Sequence, residues 1–387
     1  MRIQYASTAM HNEDFMKLFP DWSKMPGQQA QKFHRLMMGG LAANGCRVDA
    51  VSAAPVTPQN YPYKVYSGGK RQDGNISYRY IRTLNLPVVK NLCQLLGGFF
   101  RVLFGGRKDT AVVCDVLHMT VSLGAALAAR LVGKPCVGIV TDLPELMVTG
   151  SGGRSYGKMV VWILKLCTHF VLLTEQMNEV VNPEGKPSVI IEGLCDPDME
   201  HRERVKSDIS IRKCVYAGLL DARYGVKTMV EAFMLAEIPN ARLEVYGGGP
   251  YAEELARVVE KAPDVVFHGT VSVDTVVKAE LEATLLINPR PTHEEFTKYS
   301  FPSKNMEYMA SGTPVLTTNL AGMPEEYKPY VYLFEGETVE EMAQRFQEVL
   351  SVTDEERNEK GAAAKAFVLI NKNSVAQTRK ILTMLSR

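Results

Sequence analysis

The chain has 387 residues, of which 46% are hydrophobic, and this is sufficient for two or three domains with separate cores. The charged fraction of 22% is ordinary for a folded protein and excludes a disordered chain, a coiled coil and a collagen-like repeat. Seven scattered cysteines without a Cys-x-x-Cys pair indicate a reducing compartment, with neither a disulfide framework nor a zinc site. Because we find no signal-peptide pattern and no run of about 18 apolar residues, we expect a cytoplasmic protein without a membrane span.

The formal net charge of +1 conceals an uneven distribution of charge. Residues 1–190 carry 21 Lys and Arg against 12 Asp and Glu, whereas residues 191–387 carry 23 against 31. Such a field indicates an anionic ligand or surface for the N-terminal half, and a solvated basic face is the alternative. No basic and aromatic recognition motif accompanies the charge, so we expect no nucleic-acid partner.

Short β-branched runs alternate with helical patterns along most of the chain, which is typical of βαβ units around parallel sheets. In the first half the pattern predicts strands at Arg2–Ala6, Arg47–Ser52, Ala111–His118, Cys136–Val140 and His169–Thr174. It predicts helices at Gln28–Asn44, Ser122–Val132 and Lys158–Cys167.

The alternation starts again near residue 213. The predicted strands are Lys213–Gly218, Arg242–Tyr246, Val265–His268, Leu285–Asn288 and Pro314–Thr317. The predicted helices are Val226–Ala236, Tyr251–Lys261, Asp274–Glu282, Ser303–Ala310, Val339–Leu350 and Asp354–Leu385.

A charged, turn-rich stretch between the two halves predicts a linker. We therefore divide the chain into a first domain (1–192), a linker (193–212), a second domain (213–370) and a C-terminal segment (371–387). The predicted fold class is α/β, with two Rossmann-like, doubly wound domains facing a central cleft. Ligands of such sheets bind at the carboxyl ends of the strands.

A glycine-rich turn follows the predicted strand at 242–246. Gly247, Gly248 and Gly249 permit a tight turn and close backbone approach, and the helix that follows can hold a phosphate at its N-terminus. The spacing also fits the dinucleotide fingerprint, which needs an acidic residue at the end of the next strand. That strand ends in His268-Gly269, so a nicotinamide site lacks its ribose partner. A purely structural turn is the alternative.

A polar loop over residues 290–302 leads into the helix that starts near Ser303. Ser303 is the predicted N-cap of this helix, and Ser303 and Tyr299 are candidate donor-binding residues. Lys304 and the helix N-terminus make a positive, donor-rich place for a diphosphate, and Glu307 can accept hydrogen bonds from ribose hydroxyls. A surface helix with a solvated salt bridge is the alternative.

The segment Phe301–Val315 resembles the donor-site signature of glycosyltransferase family 4, whose members have the GT-B fold. The resemblance extends in order and spacing through Ile191–Asp196, Tyr216–Gly225, Gly247–Pro250 and His268-Gly269. It implies transfer of a sugar from a nucleotide-sugar donor with retention at the anomeric carbon, without a metal and without a cofactor, since the nucleotide sugar is a substrate. It also implies that the C-terminal helix crosses back to the first domain.

By position, Glu307 matches the second Glu of the family's Glu-x7-Glu motif, which binds the donor ribose. The first Glu of that motif falls at Tyr299, and the nearby Glu294 and Glu295 lie just upstream. The missing carboxylate favours an alternative function, a catalytically inactive scaffold that retains the nucleotide site. A nucleotide-sugar epimerase is a second alternative within the same fold.

The family's phosphate-binding Arg and Lys fall at Leu219 and Tyr224, so other cations must take their place. Arg223 and Lys227 are adjacent candidates. We predict that Arg223 and Lys304 stabilise the charge of the departing nucleoside diphosphate. Three donor-site glycines, Gly218, Gly247 and Gly248, are predicted to allow close backbone approach.

Three positions in the N-terminal half are candidate site residues. Gly27 follows the first strand and opens a helix, so its N–H groups could bind the same diphosphate across the cleft. His118 lies at a predicted strand end and Asp142 lies in Thr141-Asp142-Leu143-Pro144, and both are candidate acceptor groups. Capping or turn roles are the alternatives for these two.

The segment 88–108 mixes large apolar residues with Lys and Arg and contains no acid. A helix of that composition suits the plane of an anionic membrane, although Gly97-Gly98 would weaken it. A helix buried within the N-terminal domain is the alternative. Membrane contact at the inner face would suit a lipid-linked acceptor in surface polysaccharide biosynthesis, whereas a soluble carbohydrate acceptor needs no such contact.

Overall fold

The computed structural model describes residues 1–20, 25–106, 109–143, 151–205 and 211–387, without the side chains of 151–156. It divides into two compact units, Met1–Leu194 with Ser374–Arg387, and Cys195–Asn373. Gly193 and Leu194 thus join the first unit, and the stretch from Cys195 joins the second with a 3-10 turn at Pro197–His201. Parts of three sequence-based predictions lie outside the described residues: 107–108 of the basic segment, Pro144, and 206–210 of the linker.

The first unit is built on an eight-stranded sheet. Its strands are β1 (Arg2–Ser7), β2 (Arg47–Ser52), β4 (Gly69–Asp73), β5 (Ile76–Tyr80), β7 (Thr110–Asp115), β8 (Cys136–Val140), β9 (His169–Leu172) and β10 (Ser188–Ile190). They lie in the order β10-β9-β8-β7-β1-β2-β5-β4, and among the described pairs β4–β5 alone is antiparallel. Two short strands, β3 (Val65–Tyr66) and β6 (Thr83–Leu84), form a separate antiparallel pair.

The helices of the first unit cover this sheet. They are α1 (Asn12–Leu18), α2 (Gln28–Ala43), α3 (Pro87–Phe104), α4 (Met119–Leu131), α5 (Ser151–Leu166), α6 (Glu175–Val181) and α13 (Ser374–Leu385). The strand predicted at Ala111–His118 ends earlier, at Asp115, because the chain turns there and His118 precedes α4 as its N-cap residue. None of the helices in the described segments is long and apolar enough to cross a bilayer.

Helices α3 and α4 pack closely because each presents a glycine to the other. A Cβ atom on Gly98 would lie 2.5 Å from the carbonyl oxygen of Val121, and one on Gly124 would lie 2.0 Å from that of Leu95. The glycine pair at 97–98 was predicted to weaken α3, but the helix is continuous through it. Tertiary packing at Gly98 therefore replaces the intrinsic helix propensity that glycine lacks.

The second unit is built on a six-stranded sheet that is parallel throughout its described strands, in the order β13-β12-β11-β14-β15-β16. The strands are β11 (Arg212–Ala217), β12 (Ala241–Tyr246), β13 (Val265–Gly269), β14 (Leu285–Asn288), β15 (Val315–Thr318) and β16 (Tyr332–Phe334). The helices are α7 (Val226–Leu235), α8 (Ala252–Val259), α9 (Val273–Glu282), α10 (Ser303–Ser311), α11 (Val339–Ser351) and α12 (Asp354–Asn371). Apolar strand residues such as Leu243 and Ile287 are fully buried, as expected for a sheet covered on both faces.

The single helix predicted over Asp354–Leu385 is two helices, α12 and α13. The break lies at Lys372 and Asn373, where the Lys372 carbonyl accepts a hydrogen bond from the Cys195 N–H at 2.8 Å. Asn373 forms a β-bridge with Cys195. The helix therefore ends because the backbone at this point pairs with another strand segment, which helical periodicity alone does not predict.

We predict that Gly124→Ala lowers the melting temperature of the protein. The added Cβ would lie 2.0 Å from the Leu95 carbonyl oxygen, and such overpacking costs about 1–3 kcal/mol. The control is Gly39→Ala in α2, where no heavy atom of the described residues lies within 4 Å of the added Cβ. That change should stabilise the helix by about 0.5–1 kcal/mol. Equal thermal melting of the two variants would contradict the glycine contact.

Candidate functional site

Two loops at the carboxyl ends of β11 and β12 pack directly against each other. The Gly218 N–H donates to the Tyr246 carbonyl at 3.0 Å, and the Leu220 N–H donates to the Gly248 carbonyl at 2.9 Å. A Cβ on Gly247 would lie 1.9 Å from the Gly218 carbonyl oxygen, and its φ of 131° also favours glycine. The predicted donor-site glycines therefore lie together at this sheet edge, and loop packing already requires Gly247.

Helix α10 starts beside these loops. Its N-cap residue is Pro302, in an extended conformation, and Ser303 is the first helical residue. The prediction of Ser303 as the N-cap is therefore wrong, because the extended backbone ends at Pro302, one residue before the serine. Proline has no polar side-chain group to accept from the first-turn N–H groups, so its side chain does not cap this helix.

Buried hydrogen bonds fix α10 against the strand ends. The fully buried Tyr308 hydroxyl accepts from the Ala217 N–H at 2.9 Å and lies 3.3 Å from the Ala217 carbonyl oxygen. Burial raises the pKa of Tyr308 well above its usual value, so the hydroxyl stays neutral. A second bond runs from the Asn288 side chain to the Asn305 side chain at 2.7 Å. These contacts locate the first turn of α10 relative to the Gly218 loop.

Lys304 and Glu307 form a partly buried ion pair, with Nζ 3.0 Å from Oε2. Burial acts to lower the pKa of Lys304. The carboxylates of Glu307 and Glu280 outweigh this effect, so the pKa of Lys304 lies above its usual value. Lys304 therefore carries its charge at neutral pH. Glu280 is 2% exposed and was missed by the sequence analysis. Its signal is an acid at an apolar helical position, three residues after Val277 on α9.

Arg223 and Lys227, the two predicted substitutes for the family's cations, both have carboxylate partners. Arg223 Nη2 lies 2.7 Å from Asp221 Oδ2, and the Arg223 N–H donates to the same carboxylate at 3.0 Å. Lys227 Nζ lies 2.8 Å from Glu254 Oε1. Both cations are largely solvent-exposed, so an incoming phosphate would compete with a carboxylate and with water at each.

A cation that the sequence analysis left without a role lies beside the same loops. Arg290 follows the end of β14, and its guanidinium carbon lies 4.6 Å from the centroid of the Tyr224 ring and 5.7 Å from that of Phe296. Burial raises the pKa of Tyr216, and the positive charge of Arg290 opposes this rise. The Tyr216 hydroxyl donates to the Leu219 carbonyl at 2.9 Å. Arg290 thus contacts Tyr224, one of the two positions where the resemblance expects a cation.

The loop that precedes α10 contains Tyr299, the position of the expected first Glu. Tyr299 ends a 3-10 turn over Glu295–Lys298, and its N–H donates to the Phe296 carbonyl at 3.2 Å. Glu294 precedes this turn, and its carbonyl accepts from the buried Thr297 hydroxyl at 2.6 Å. The carboxylate of Glu337 anchors the start of the loop by accepting from the Thr292 N–H at 2.9 Å.

In the first unit, a buried carboxylate at the end of β7 binds two imidazoles. Asp115 Oδ2 lies 2.8 Å from His34 Nε2 and 2.5 Å from His118 Nδ1. A carboxylate only accepts, so both ring nitrogens donate to it. His118 Nε2 then lies 3.3 Å from the Thr8 hydroxyl, and His34 Nδ1 lies 2.7 Å from the Tyr5 hydroxyl.

This network shifts the titration of its members. Burial alone would raise the pKa of Asp115, but the charges and hydrogen bonds of His34 and His118 hold it well below its usual range. Burial acts to lower the pKa of His118, and the carboxylate of Asp115 outweighs that effect and raises it. Asp115 and His34 were missed by the sequence analysis. The signal for Asp115 is an acid that ends an otherwise apolar, fully buried strand.

The two other predicted residues of the first unit lie at chain turns. Gly27 is the N-cap residue of α2, with φ 57° and ψ 39° in the left-handed region, so its conformation favours glycine. Asp142 is exposed two residues after β8. His118 is the N-cap residue of α4, but its ring binds Asp115 and Thr8 instead of capping the helix. Among the described residues, no group of three or more His, Cys, Asp or Glu could hold a metal ion.

We predict that His118→Gln destabilises the protein more at about pH 5.5 than at about pH 9. The folded pKa of His118 lies above its unfolded value of about 6.5, so the charged ring stabilises the fold fully below that value. This contribution is lost as pH rises through the folded pKa. Melting temperatures of both proteins across this range measure the difference. In an Asp115→Asn background the difference should not depend on pH, and a persistent dependence would contradict the pair.

The comparisons with known proteins agree with this geometry. Residues 211–352 match the sequence model of the family described as glycosyl transferases group 1. An uncharacterized glycosyltransferase from Methanocaldococcus jannaschii is 28% identical over 171 residues, which is 40% of this chain. The match spans 42% of that relative's own length.

Solved structures match the whole chain at low sequence identity. Sucrose-phosphate synthase from Thermosynechococcus elongatus has a TM-score of 0.70 and 15% identity, covering 100% of this chain and 98% of that one. HepE from Anabaena, solved with UDP, has a TM-score of 0.65 and 12% identity over 100% of both chains. The lipopolysaccharide outer core galactosyltransferase WaaB has a TM-score of 0.59 and 14% identity, covering 100% and 99%.

These findings confirm the predicted fold class. The chain is an α/β protein with the GT-B fold, the architecture of these glycosyltransferases. Residues 211–352 match the sequence model of the group 1 glycosyl transferases, which confirms the resemblance to a glycosyltransferase. The narrower assignment to family 4 stays a prediction.

Proposed function

We propose that this protein is a retaining glycosyltransferase that moves a hexose from a nucleotide-sugar donor to a carbohydrate or lipid-linked acceptor. The observation that carries the proposal is the Lys304–Glu307 pair in the N-terminal half of α10, the helix whose Tyr308 hydroxyl binds the Ala217 backbone just before Gly218. The group 1 match over residues 211–352 supports it. So does the fold shared with HepE, which has been solved with UDP-glucose.

The donor-binding roles follow from the chemistry of each group. Glu307 is a charged acceptor suited to a pair of ribose hydroxyls, and Lys304 next to it is a cation suited to a phosphate. Arg290 supplies a second cation at the carboxyl end of β14. A departing nucleoside diphosphate gains negative charge, and preorganised cations and N–H groups stabilise that charge. We therefore propose a reaction that does not require a metal ion.

The acceptor-binding roles belong to the first unit. Asp115 orients the His118 ring through Nδ1, and Nε2, which lies 3.3 Å from the Thr8 hydroxyl, can bind a substrate hydroxyl in place of Thr8. The same carboxylate also binds the buried His34. Asp115 is therefore held between two imidazoles, and this fixes the orientation of the His118 ring. The assignments of Gly27 to the diphosphate, of Asp142 to the acceptor, and of Arg223, Ser303, Tyr299 and Gly248 to the donor remain predictions.

We also propose a peripheral contact with an anionic membrane through α3, which would suit a lipid-linked acceptor in surface polysaccharide biosynthesis. Every fourth residue along α3 is a large apolar side chain that is 40–81% exposed: Val88, Leu92, Leu96, Phe100 and Phe104. Five such residues form one continuous apolar stripe on the side of the helix away from α4. The fold shared with WaaB supports the polysaccharide role.

A catalytically inactive nucleotide-binding scaffold is the second candidate function. The observation that favours it is Tyr299 at the position of the first Glu, where a phenol replaces a carboxylate. The two functions differ in one outcome: a scaffold binds the nucleotide and transfers no sugar.

We predict that one family of nucleoside diphosphates and their sugars raises the melting temperature of the protein. A ligand at about 100 times its dissociation constant adds about 2.7 kcal/mol of stability. Glu307→Ala should weaken this binding by about 1.5–3 kcal/mol, since a charged hydrogen bond to the ribose is lost. The control is Glu340→Ala on the exposed first turn of α11, which should bind as the wild type does.

Assays of sugar transfer with the nucleotide sugars that bind then decide between the candidate functions. Transfer to an acceptor supports the glycosyltransferase, and binding without transfer supports the scaffold. A folded protein that no nucleotide stabilises would contradict both, and unchanged binding by Glu307→Ala would contradict the ribose assignment.

We predict that Arg290→Ala weakens binding of the nucleoside diphosphate and leaves binding of the nucleoside unchanged. A charge-assisted bond to phosphate contributes about 1.5–3 kcal/mol, and the nucleoside lacks the phosphates. Arg223→Ala is the matched comparison, and its effect should be smaller because the Arg223 side chain is 69% exposed and water weakens its bond to a phosphate. Isothermal titration calorimetry measures both affinities. A larger loss in Arg223→Ala than in Arg290→Ala would show that the exposed cation binds the phosphates instead.

A further inference from the structure

The first unit contains a cavity of about 280 Å³ between its sheet and the C-terminal part of α3. Three arginines from different elements line it: Arg2 on β1, Arg79 on β5 and Arg101 on α3. The acid in its lining is Asp49, which pairs with Arg2 and lies 3.9 Å from Arg79. The lining therefore contains three guanidinium groups and one carboxylate.

The charges around the cavity confirm an excess of positive charge. Asp109 is close enough to raise the pKa of Arg2, so it adds a second acid. Lys134 adds a fourth cation, and its pKa is lowered by burial and by the charge of Arg2. The pKa of Arg101 is likewise lowered by burial and by the charge of Arg79. Among the residues that the structure describes, four cations thus lie near two acids, and an anion would relieve the repulsion among the cations.

The end of α3 does not oppose an anion in this place. The last carbonyls of a helix carry partial negative charge, which would normally repel one. Here the Arg101 carbonyl accepts from the Gln4 side chain at 3.0 Å, and the Val102 carbonyl accepts from Lys134 Nζ at 2.9 Å. These two carbonyls are therefore already bound to side-chain donors, namely those of Gln4 and Lys134.

The wall of the cavity is also part of an apolar surface. Phe100 and Phe104 line it with parallel rings whose centroids are 6.0 Å apart, and their side chains are 47% and 78% exposed. They are the last two members of the apolar stripe of α3. A ligand that fills the cavity and continues along the stripe must therefore join an anionic group to hydrocarbon.

We propose that this cavity binds the phosphate of an anionic phospholipid in a bilayer, whose acyl chains contact the apolar stripe of α3. Guanidinium groups bind phosphate oxygens in pairs, and large apolar side chains at an exposed helix face enter the acyl boundary. The inference rests on the membrane contact in the proposed function and adds to it a defined headgroup site. Recognition of the headgroup would make the contact depend on anionic lipid, beyond the general attraction of a basic surface.

The test is sedimentation of the full chain with vesicles of phosphatidylcholine, alone or mixed with phosphatidylglycerol. Arg79→Gln with Arg101→Gln should weaken binding to the anionic vesicles on the order of 100-fold, at about 10-fold for each charge-assisted bond to phosphate that is lost. The matched control is Lys70→Gln with Arg82→Gln, two exposed cations outside the cavity lining with the same change in net charge. The control should lose much less.

Each other outcome counts against a definite part of the inference. Equal losses in the two double variants, or equal binding of the wild type to both vesicles, would overturn the headgroup site. Stabilisation of the wild type by free inorganic phosphate, with vesicle binding unaffected by the arginine changes, would assign the cavity to a soluble anion. Unchanged vesicle binding by Leu92→Ser with Leu96→Ser would overturn the membrane contact itself. Arg79→Gln alone, on a half-exposed side chain, keeps the test valid if the double variant melts at a lower temperature.

Discussion

The contact of the Tyr308 hydroxyl with the backbone of Ala217 is the constraint on which the candidate donor site depends. It joins a side chain in the middle of α10 to the last residue of β11, the strand that leads into the Gly218 loop. Because a buried peptide group is costly to leave without a partner, α10 cannot shift along the sheet without breaking this contact. Lys304, one turn before Tyr308, and Glu307, the residue directly before it, are held at the sheet edge for the same reason.

The cations near the candidate donor site differ in their neighbouring groups. This difference separates cations that can bind a nucleotide from cations that stabilise the fold. Arg223 and Lys227 lie near the loops, but each pairs with a carboxylate: Arg223 with Asp221, and Lys227 with Glu254. Lys304 also has a carboxylate partner, yet Glu307 and Lys304 lie side by side, so a nucleotide can engage both through ribose and phosphate. The Arg290 guanidinium lies over the Tyr224 ring, and this contact orients it near the carboxyl end of β14.

Much of the fold could be predicted from the sequence, because buried parallel strands and amphipathic helices have strong local patterns. The β1, β2, β8, β12 and β14 segments follow from short runs in which apolar residues are continuous or alternate with polar ones. The pair β3–β6 could not be predicted, because two-residue strands carry no periodicity. The break between α12 and α13 depends on pairing with Cys195, nearly 180 residues away in sequence, so no local pattern indicates it.

The candidate site was predicted where a motif is contiguous and missed where it is assembled by folding. Lys304 and Glu307 belong to one helical turn, so the sequence places them together. Arg290 meets Tyr224 only because β14 lies beside β11, and His34 meets Asp115 only because α2 packs over the β1 and β7 ends. The predicted N-cap at Ser303 was wrong by one residue, because the helix boundary lies at Pro302.

The return of α13 to the first unit has a consequence for how the protein is made. Ile381 and Met384 are buried in the core of the first unit, and each such side chain contributes about 1.5–3 kcal/mol. A Cβ on Gly40 would lie 2.2 Å from the Ser374 carbonyl oxygen, so α2 already leaves room for this late helix. Domains generally fold as they leave the ribosome. Here the second unit can complete its core during synthesis, whereas the first unit, although made earlier, must wait with an open face on α2 until Ser374–Leu385 emerges.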